Sequence, residues 1–466
     1  MYTKFSNYSD NSNVQDQFWL RDYSSIWNDF LWVAKVKNVA VKYGLSNSTE
    51  LDGKNQEYID FSLVEFGAEK LDNFIKDVQK ETGSAAVAVL TAYSILEGAD
   101  SWNVIYANLN WLRIAKQHCK KALKYGVDRE KILKSGEKIL EKESAPQSLD
   151  AAITLVLAEL DKIGREVKIG HDEFGREILY VEKYYKKTPE EEKEEKENVD
   201  KKLENFKKYK TFNGFLASAT DWLYGDNNGA QGDCRMLSFL PYLVLTELGF
   251  KVDMYRIGVI DKGARAAHAH ISVNELDKEP TASLCRGYAP GSLIHEQQYN
   301  VEYSPLGLAA ETVSMLAQMH VGEIERLENV MADIMNKEQH DVYLLGRIDD
   351  LLKDVELLEV LLKYMPRSTT ILDNISYVYA SLGVRYKKTN QMKEALSAYA
   401  KAMEYAEKEI EIFYQYKIEA KNKEPRLKAA AIKRLDEEIK CVKNTVAGYY
   451  KWYIEKGGQN FTRRFP

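Results

Sequence analysis

Cys234 stands where a glycine-rich loop gives way to an apolar helical pattern, in the run Gly229-Ala-Gln-Gly-Asp-Cys-Arg-Met-Leu. Asp233 suits a helix N-cap, which places Cys234 in the first turn. Met236, Leu237, Phe239, Leu240, Leu243, Val244 and Leu245 continue the pattern, and Gly249 closes it. Backbone N–H groups point outward at a helix start, and the helix dipole favours negative charge there. Both stabilise a thiolate, the reactive form of cysteine, so Cys234 is a candidate nucleophile when a base lies within reach. Two histidines follow in Ala267-His-Ala-His-Ile-Ser-Val-Asn274. Strict alternation reads as a strand, with His268, His270 and Ser272 on one face. His268 and His270 with Cys234 are also three possible zinc ligands. The glycine-rich loop lacks the Lys-Ser/Thr of a phosphate loop, so it does not point to a nucleotide.

These residues need a helix, a turn and strands to hold them. The pattern predicts a helix from Cys234 to Gly249, kinked at Pro241, where the ring removes a helical hydrogen bond. A strand over Val252–Ile260, a loop with Lys262, Gly263 and Arg265, and a strand over 267–274 come next. Upstream, helical periodicity runs through 24–43, 66–80, 84–97, 101–124, 128–142 and 148–164, with Ser148 capping the last. Val167, Ile169, Ile178 and Tyr180 alternate around the turn-like Asp172-Glu173-Phe174-Gly175, which predicts a hairpin. Residues 186–210 are a run of both charge signs, read as a solvated helix or spacer. Residues 1 to about 15 carry no apolar period and read as a mobile tail.

From 311 onward the chain reads as long helices interrupted near Pro366 and Pro425. Tyr379, Leu382, Gly383 and Tyr386 fill one helix; Ala395, Tyr399 and Ala402 fill the next, with a turn around Asn390. Small residues let two antiparallel helices approach, and large ones fill the gaps. The spacing over 372–408 resembles a tetratricopeptide repeat. Such a unit is either a partner-binding surface or a helical buttress on a neighbouring domain.

The chain has 466 residues, or about three domains at ~150 each. Lys and Arg total 65 against 71 Asp and Glu, a net charge of -6, which argues against a nucleic-acid partner. No apolar run reaches the ~18 residues of a spanning helix, and no secretory signal pattern opens the chain. Cys119, Cys234, Cys285 and Cys441 lie far apart, which disfavours a disulfide framework and fits a reducing, cytoplasmic compartment. Cys119, Cys285 and Cys441 read as structural.

The order of a Gly-x-Cys helix start, a Leu-rich helix ending at Gly249, a strand, a His-Ala strand and Glu279-Pro280-Thr281 resembles the core of the transglutaminase-like superfamily of papain-type Cys-His-Asp folds. The resemblance covers roughly 211–285. It implies that Cys234 is the nucleophile and His268 the base. Glu279 occupies the slot of the usual aspartate, with Asp277 a rival third member. The Cys234 N–H with Gln231 or Asn228 would stabilise the oxyanion. The coupling to tetratricopeptide-like helices further resembles bacterial proteins that join the two. The expected architecture is α+β: a helical region 1–165, a hairpin and charged linker 166–210, a transglutaminase-like domain 211–310 and a tetratricopeptide-like domain 311–466. The expected activity is cysteine-dependent hydrolysis or acyl transfer through a thioester. The alternative is an inactive scaffold that binds a protein through its helical surface. A protein or peptide substrate or partner is expected, with no cofactor, metal, nucleic acid or membrane. The oligomeric state is not legible.

Overall fold

The computed structural model describes residues 23–46, 63–99, 102–125, 168–171, 177–180, 189–216, 234–261, 264–274, 282–285, 297–304, 306–420, 425–459 and 461–465. The chain is mostly helical. The helices expected over 128–142 and 148–164, with their Ser148 cap, lie outside the described residues, as do the tail 1–15, the 172–175 turn, Asp233, Glu279 and Asp277.

The N-terminal helices are α1 (Tyr23–Lys42), α2 (Leu63–Thr82), α3 (Ala85–Leu96) and α4 (Trp102–Tyr125). Gly67 breaks α2 with a left-handed φ of 72°, a conformation that glycine adopts without steric cost. Helix α3 is apolar almost throughout, and every residue from Ala86 to Leu96 is buried. A helix apolar on all sides belongs inside, and its neighbours α2 and α4 cover it. Ser84 caps it by accepting from the Val87 N–H at 2.9 Å.

Strands β1 (Lys168–His171) and β2 (Glu177–Tyr180) pair antiparallel. The charged run forms two helices, α5 (Pro189–Glu197) and α6 (Val199–Lys210), the second capped by Asn198. It does not serve only as a spacer. Helix α6 packs against a C-terminal helix and leads into Phe212, Phe215 and Leu216, all buried.

Helix α7 (Cys234–Glu247) is followed by β3 (Lys251–Asp261), β4 (Ala264–Asn274), β5 (Ala282–Cys285) and β6 (Gln297–Tyr303). The sheet order is β5-β4-β3-β6, antiparallel throughout. Gly249 closes α7 at a φ of 91°. Arg265, expected in a loop, lies within β4, whose pairing with β3 runs unbroken to Asp261 opposite Ala264. Met254 faces Ile271 on one side and Tyr303 on the other in register, and all three are buried. One face of the sheet is therefore part of the core.

Five long helices complete the chain: α8 (Gly307–Ile334), α9 (Lys337–Tyr364), α10 (Thr369–Lys388), α11 (Met392–Ala420) and α12 (Pro425–Glu455). Pro366 lies in the turn before α10, and Pro425 opens α12, where its missing N–H costs nothing. Asn390 takes a left-handed φ of 61° between α10 and α11. Those two helices have 20 and 29 residues, more than a ~34-residue helix-turn-helix unit holds. The 372–408 pattern thus covers only the part of the hairpin nearest its turn. Helices α8 and α9 pack against α3 and α2, so contacts run across the expected boundary at 310. Glu311 joins sheet to helices: its carboxylate accepts from the Tyr303 hydroxyl at 3.0 Å and from Ser368 at 2.6 Å. Among the described residues, no helix is long and apolar enough to cross a membrane.

Candidate functional site

Cys234 opens α7, and this helix is clamped along its length. Near its start, Arg235 donates from Nη1 to Thr312 Oγ1 of α8 at 2.6 Å. In the middle, the Phe239 ring stacks on Tyr93 at 4.1 Å and meets Phe212 edge-on at 4.9 Å. At its end, Glu247 accepts from the Ser84 hydroxyl and from Lys116 Nζ at 2.6 Å. Pro241 stays inside the helix. An interior proline costs about 3 kcal/mol. Burial of each large apolar side chain returns roughly 1.5–3 kcal/mol. Phe239, Leu243, Val244 and Leu245 are all within 1% of full burial, so tertiary packing outweighs the proline.

Helix α7 lies against β4, β3 and β5. The strand β4 carries both histidines. In register, His268 stands opposite Ile257, and His270 opposite Tyr255 on one side and Cys285 on the other. Ser272 stands opposite Asp253. Residues paired directly across antiparallel strands share a face, so positions 253, 268 and 270 lie on the same side of the sheet. The Tyr242 phenol on α7 is raised first by burial and then by the negative charge of Asp253. A carboxylate on the histidine-bearing face therefore acts on the helix that Cys234 opens.

The start of α7 also has a built electrostatic surround. The Glu97 carboxylate accepts from the Phe212 and Asn213 N–H groups, both at 3.0 Å. Burial pushes this carboxyl up to about 7, while those N–H groups and the Arg235 charge pull the other way. Asn108 donates to Asn213 at 2.6 Å and to Ser94 at 2.9 Å, holding the same segment. Arg235 thus places a fixed positive charge one residue from the cysteine, a setting that favours a thiolate.

The structure brings together the helix of Cys234 and the strand of His268 and His270. Glu279, Asp277, Gln231 and Asn228 lie outside the described residues. Cys119 is buried in α4 and Cys441 is exposed on α12. Among the described residues, no group of three or more His, Cys, Asp or Glu side chains is arranged to hold a metal ion. Sequence reasoning passed over Arg235, Glu97 and Asp253, and also β5 and β6. Arg235 could have been found from its place beside the cysteine. Glu97 could have been found as a carboxylate ending an otherwise apolar helix. Comparison of the chain with protein-family models, with curated proteins and with solved structures returns no match.

Proposed function

We propose that the chain is a cysteine-dependent hydrolase or acyltransferase, built on a transglutaminase-like α+β unit spanning roughly 211–310. The observation that carries this reading is the packing of the Cys234 helix on the strand bearing His268. Arg235, held by Thr312, adds positive charge at the helix start. In this reading, His268 takes the thiol proton and Cys234 attacks a carboxamide or peptide carbonyl. The tetrahedral oxyanion expels the amine, which leaves with a proton from His268, and a thioester remains. Water or an amine then attacks the thioester and frees Cys234. Glu279 or Asp277 orients the imidazole, and the Cys234 N–H with Gln231 or Asn228 receives the oxyanion. The expected partner is a protein or peptide substrate in a reducing compartment.

The test is the pH dependence of Cys234 alkylation, mapped by peptide, with exposed Cys441 as the internal reference. An ordinary thiol titrates near ~8.5, and an activated one at ~3.5–7.5. The reading expects Cys234 to label in the acidic range and His268→Ala to move that profile upward. Labelling that follows Cys441 would sink it.

A second reading, an inactive scaffold, is favoured by the exposed apolar side chains at the α8–α9 turn. Ile334 is 69% exposed and Val342 66%. It expects a captured protein whose binding survives Cys234→Ala and His268→Ala but is lost when 340–466 is removed.

A further inference from the structure

Helices α10, α11 and α12 pack side by side, with α11 between its neighbours. Their registers can be read from side-chain contacts. Gly383 of α10 lies against the Tyr399 ring of α11. Ten positions back along α10 and ten on along antiparallel α11 bring Asp373 level with Glu409. On the other side, the contacts Tyr399–Tyr449 and Lys417–Asp436 bracket the same level, and the Glu438 charge about one turn away reaches Glu409. Three carboxylates from three helices thus converge.

Their surroundings differ. Asp373 is exposed. Glu438 is paired with Arg434 one turn away. Glu409 is 5% exposed, and its Oε2 is buried with no hydrogen-bond partner. A buried carboxylate oxygen without a donor is costly, and native structures leave few. The Arg434 guanidinium nearby is engaged by Glu438. Half-buried Tyr449, tilted on Tyr399 with ring centroids 5.8 Å apart, completes the surround.

We propose that the surface where α10, α11 and α12 meet, with Glu409 beneath it and Asp373 at its rim, takes a guanidinium or ammonium group. Such a group supplies the donors that Glu409 lacks and offsets the acidic excess, and an aromatic ring beside it adds cation–π attraction. Burial first, and then the charges of Asp373 and Glu438, push the Glu409 carboxyl well above its ordinary range, as expected of an acid that lacks its cation. The site lies in the C-terminal helices and does not depend on the cysteine reading.

The probe is N-acetyl-arginine amide, titrated into the full chain by calorimetry, with the citrulline counterpart as its uncharged isostere. The arginine probe is expected to bind and the citrulline probe not to. Glu409→Gln keeps the shape and removes the charge; it is expected to fold, by circular dichroism, and to weaken binding by about tenfold or more. Asp373→Asn is expected to weaken it less, because that carboxylate is solvated. Spermidine and an arginine-centred pentapeptide separate the two sources of the cation. Tighter binding by the pentapeptide assigns a partner's side chain, and tighter binding by spermidine assigns a free polyamine; either supports the site. No heat from any of the three cations at about 1 mM would overturn it. So would an affinity unchanged in folded Glu409→Gln.

Discussion

Gly383 on α10 and Tyr399 on α11 touch so closely that a Cβ at 383 would stand 2.7 Å from the ring carbons Cδ2 and Cε2. Tyr399 is itself wedged against Trp452, with ring centroids 4.3 Å apart. The ring cannot swing aside without disturbing α12. Gly383→Ala is therefore expected to destabilise the C-terminal helices by about 1–3 kcal/mol, despite alanine's better helix propensity. Tyr399→Leu should absorb much of that loss, so the double variant should lose less than the sum of the singles. Urea titration followed by tryptophan fluorescence reads this directly. Additive losses would mean that the contact is not the cause.

Glu97 predicts a pH dependence of stability. Its folded carboxyl is raised from 4.5 to about 7, chiefly by burial, so folding favours the protonated form. The sign follows from linkage: this contribution is fully present below the ordinary carboxyl range and is lost as pH rises towards 7. The magnitude is about 3 kcal/mol. Glu97→Gln should flatten the fall in stability over that window. A slope unchanged in the variant would place its origin elsewhere.

Lys116 neutralises Glu247, whose side chain is 8% exposed at the end of the Cys234 helix. Lys116→Met leaves that carboxylate with only the Ser84 hydroxyl. A loss of about 2–3 kcal/mol is expected, just under the ~3–5 kcal/mol of broken buried pairs because Lys116 is partly solvated. Glu247→Gln in the same background should recover much of it. A single variant as stable as the parent in thermal melts would show that the pair is dispensable.

Arg235 should tune the cysteine beside it. In Arg235→Leu, the fixed positive charge is gone and the tie to Thr312 is lost. The Cys234 labelling profile is expected to move upward by about one pH unit, the lower end of the effect of a neighbouring charge. Parallel mapping of Cys441 separates this shift from general unfolding. A profile that does not move would remove Arg235 from the account.

How far the sequence reached depended on whether a signal was local. The turn at Asn390, the close approach at Gly383 and the end of the cysteine helix at Gly249 were legible, because each needs a residue type that few others replace. The 3.6-residue period of the long helices and the two-residue period around His268 were legible for the same reason. Strands β5 and β6 were not: β5 has only four residues, and the pairing of both, with β4 and β3, is made across the sheet. Nor could the sequence alone tell that the charged run folds as α5 and α6, with α6 lying against α8. Balanced charge suits a free spacer and a packed helix equally.

By itself, the sequence singled out the residues of a candidate site: one cysteine at a helix start, two histidines two apart on a strand, and carboxylates a few positions further along the chain. Tertiary structure alone decided which of them meet. It laid α7 on β4, drew Arg235 to Thr312 and Glu97 to the Phe212 and Asn213 N–H groups, and buried the Glu409 Oε2 without a donor. The physical reason is that helix and strand periods are set by neighbouring residues. Burial, and the proton affinity of a buried group, are set by whichever distant segments exclude water around it.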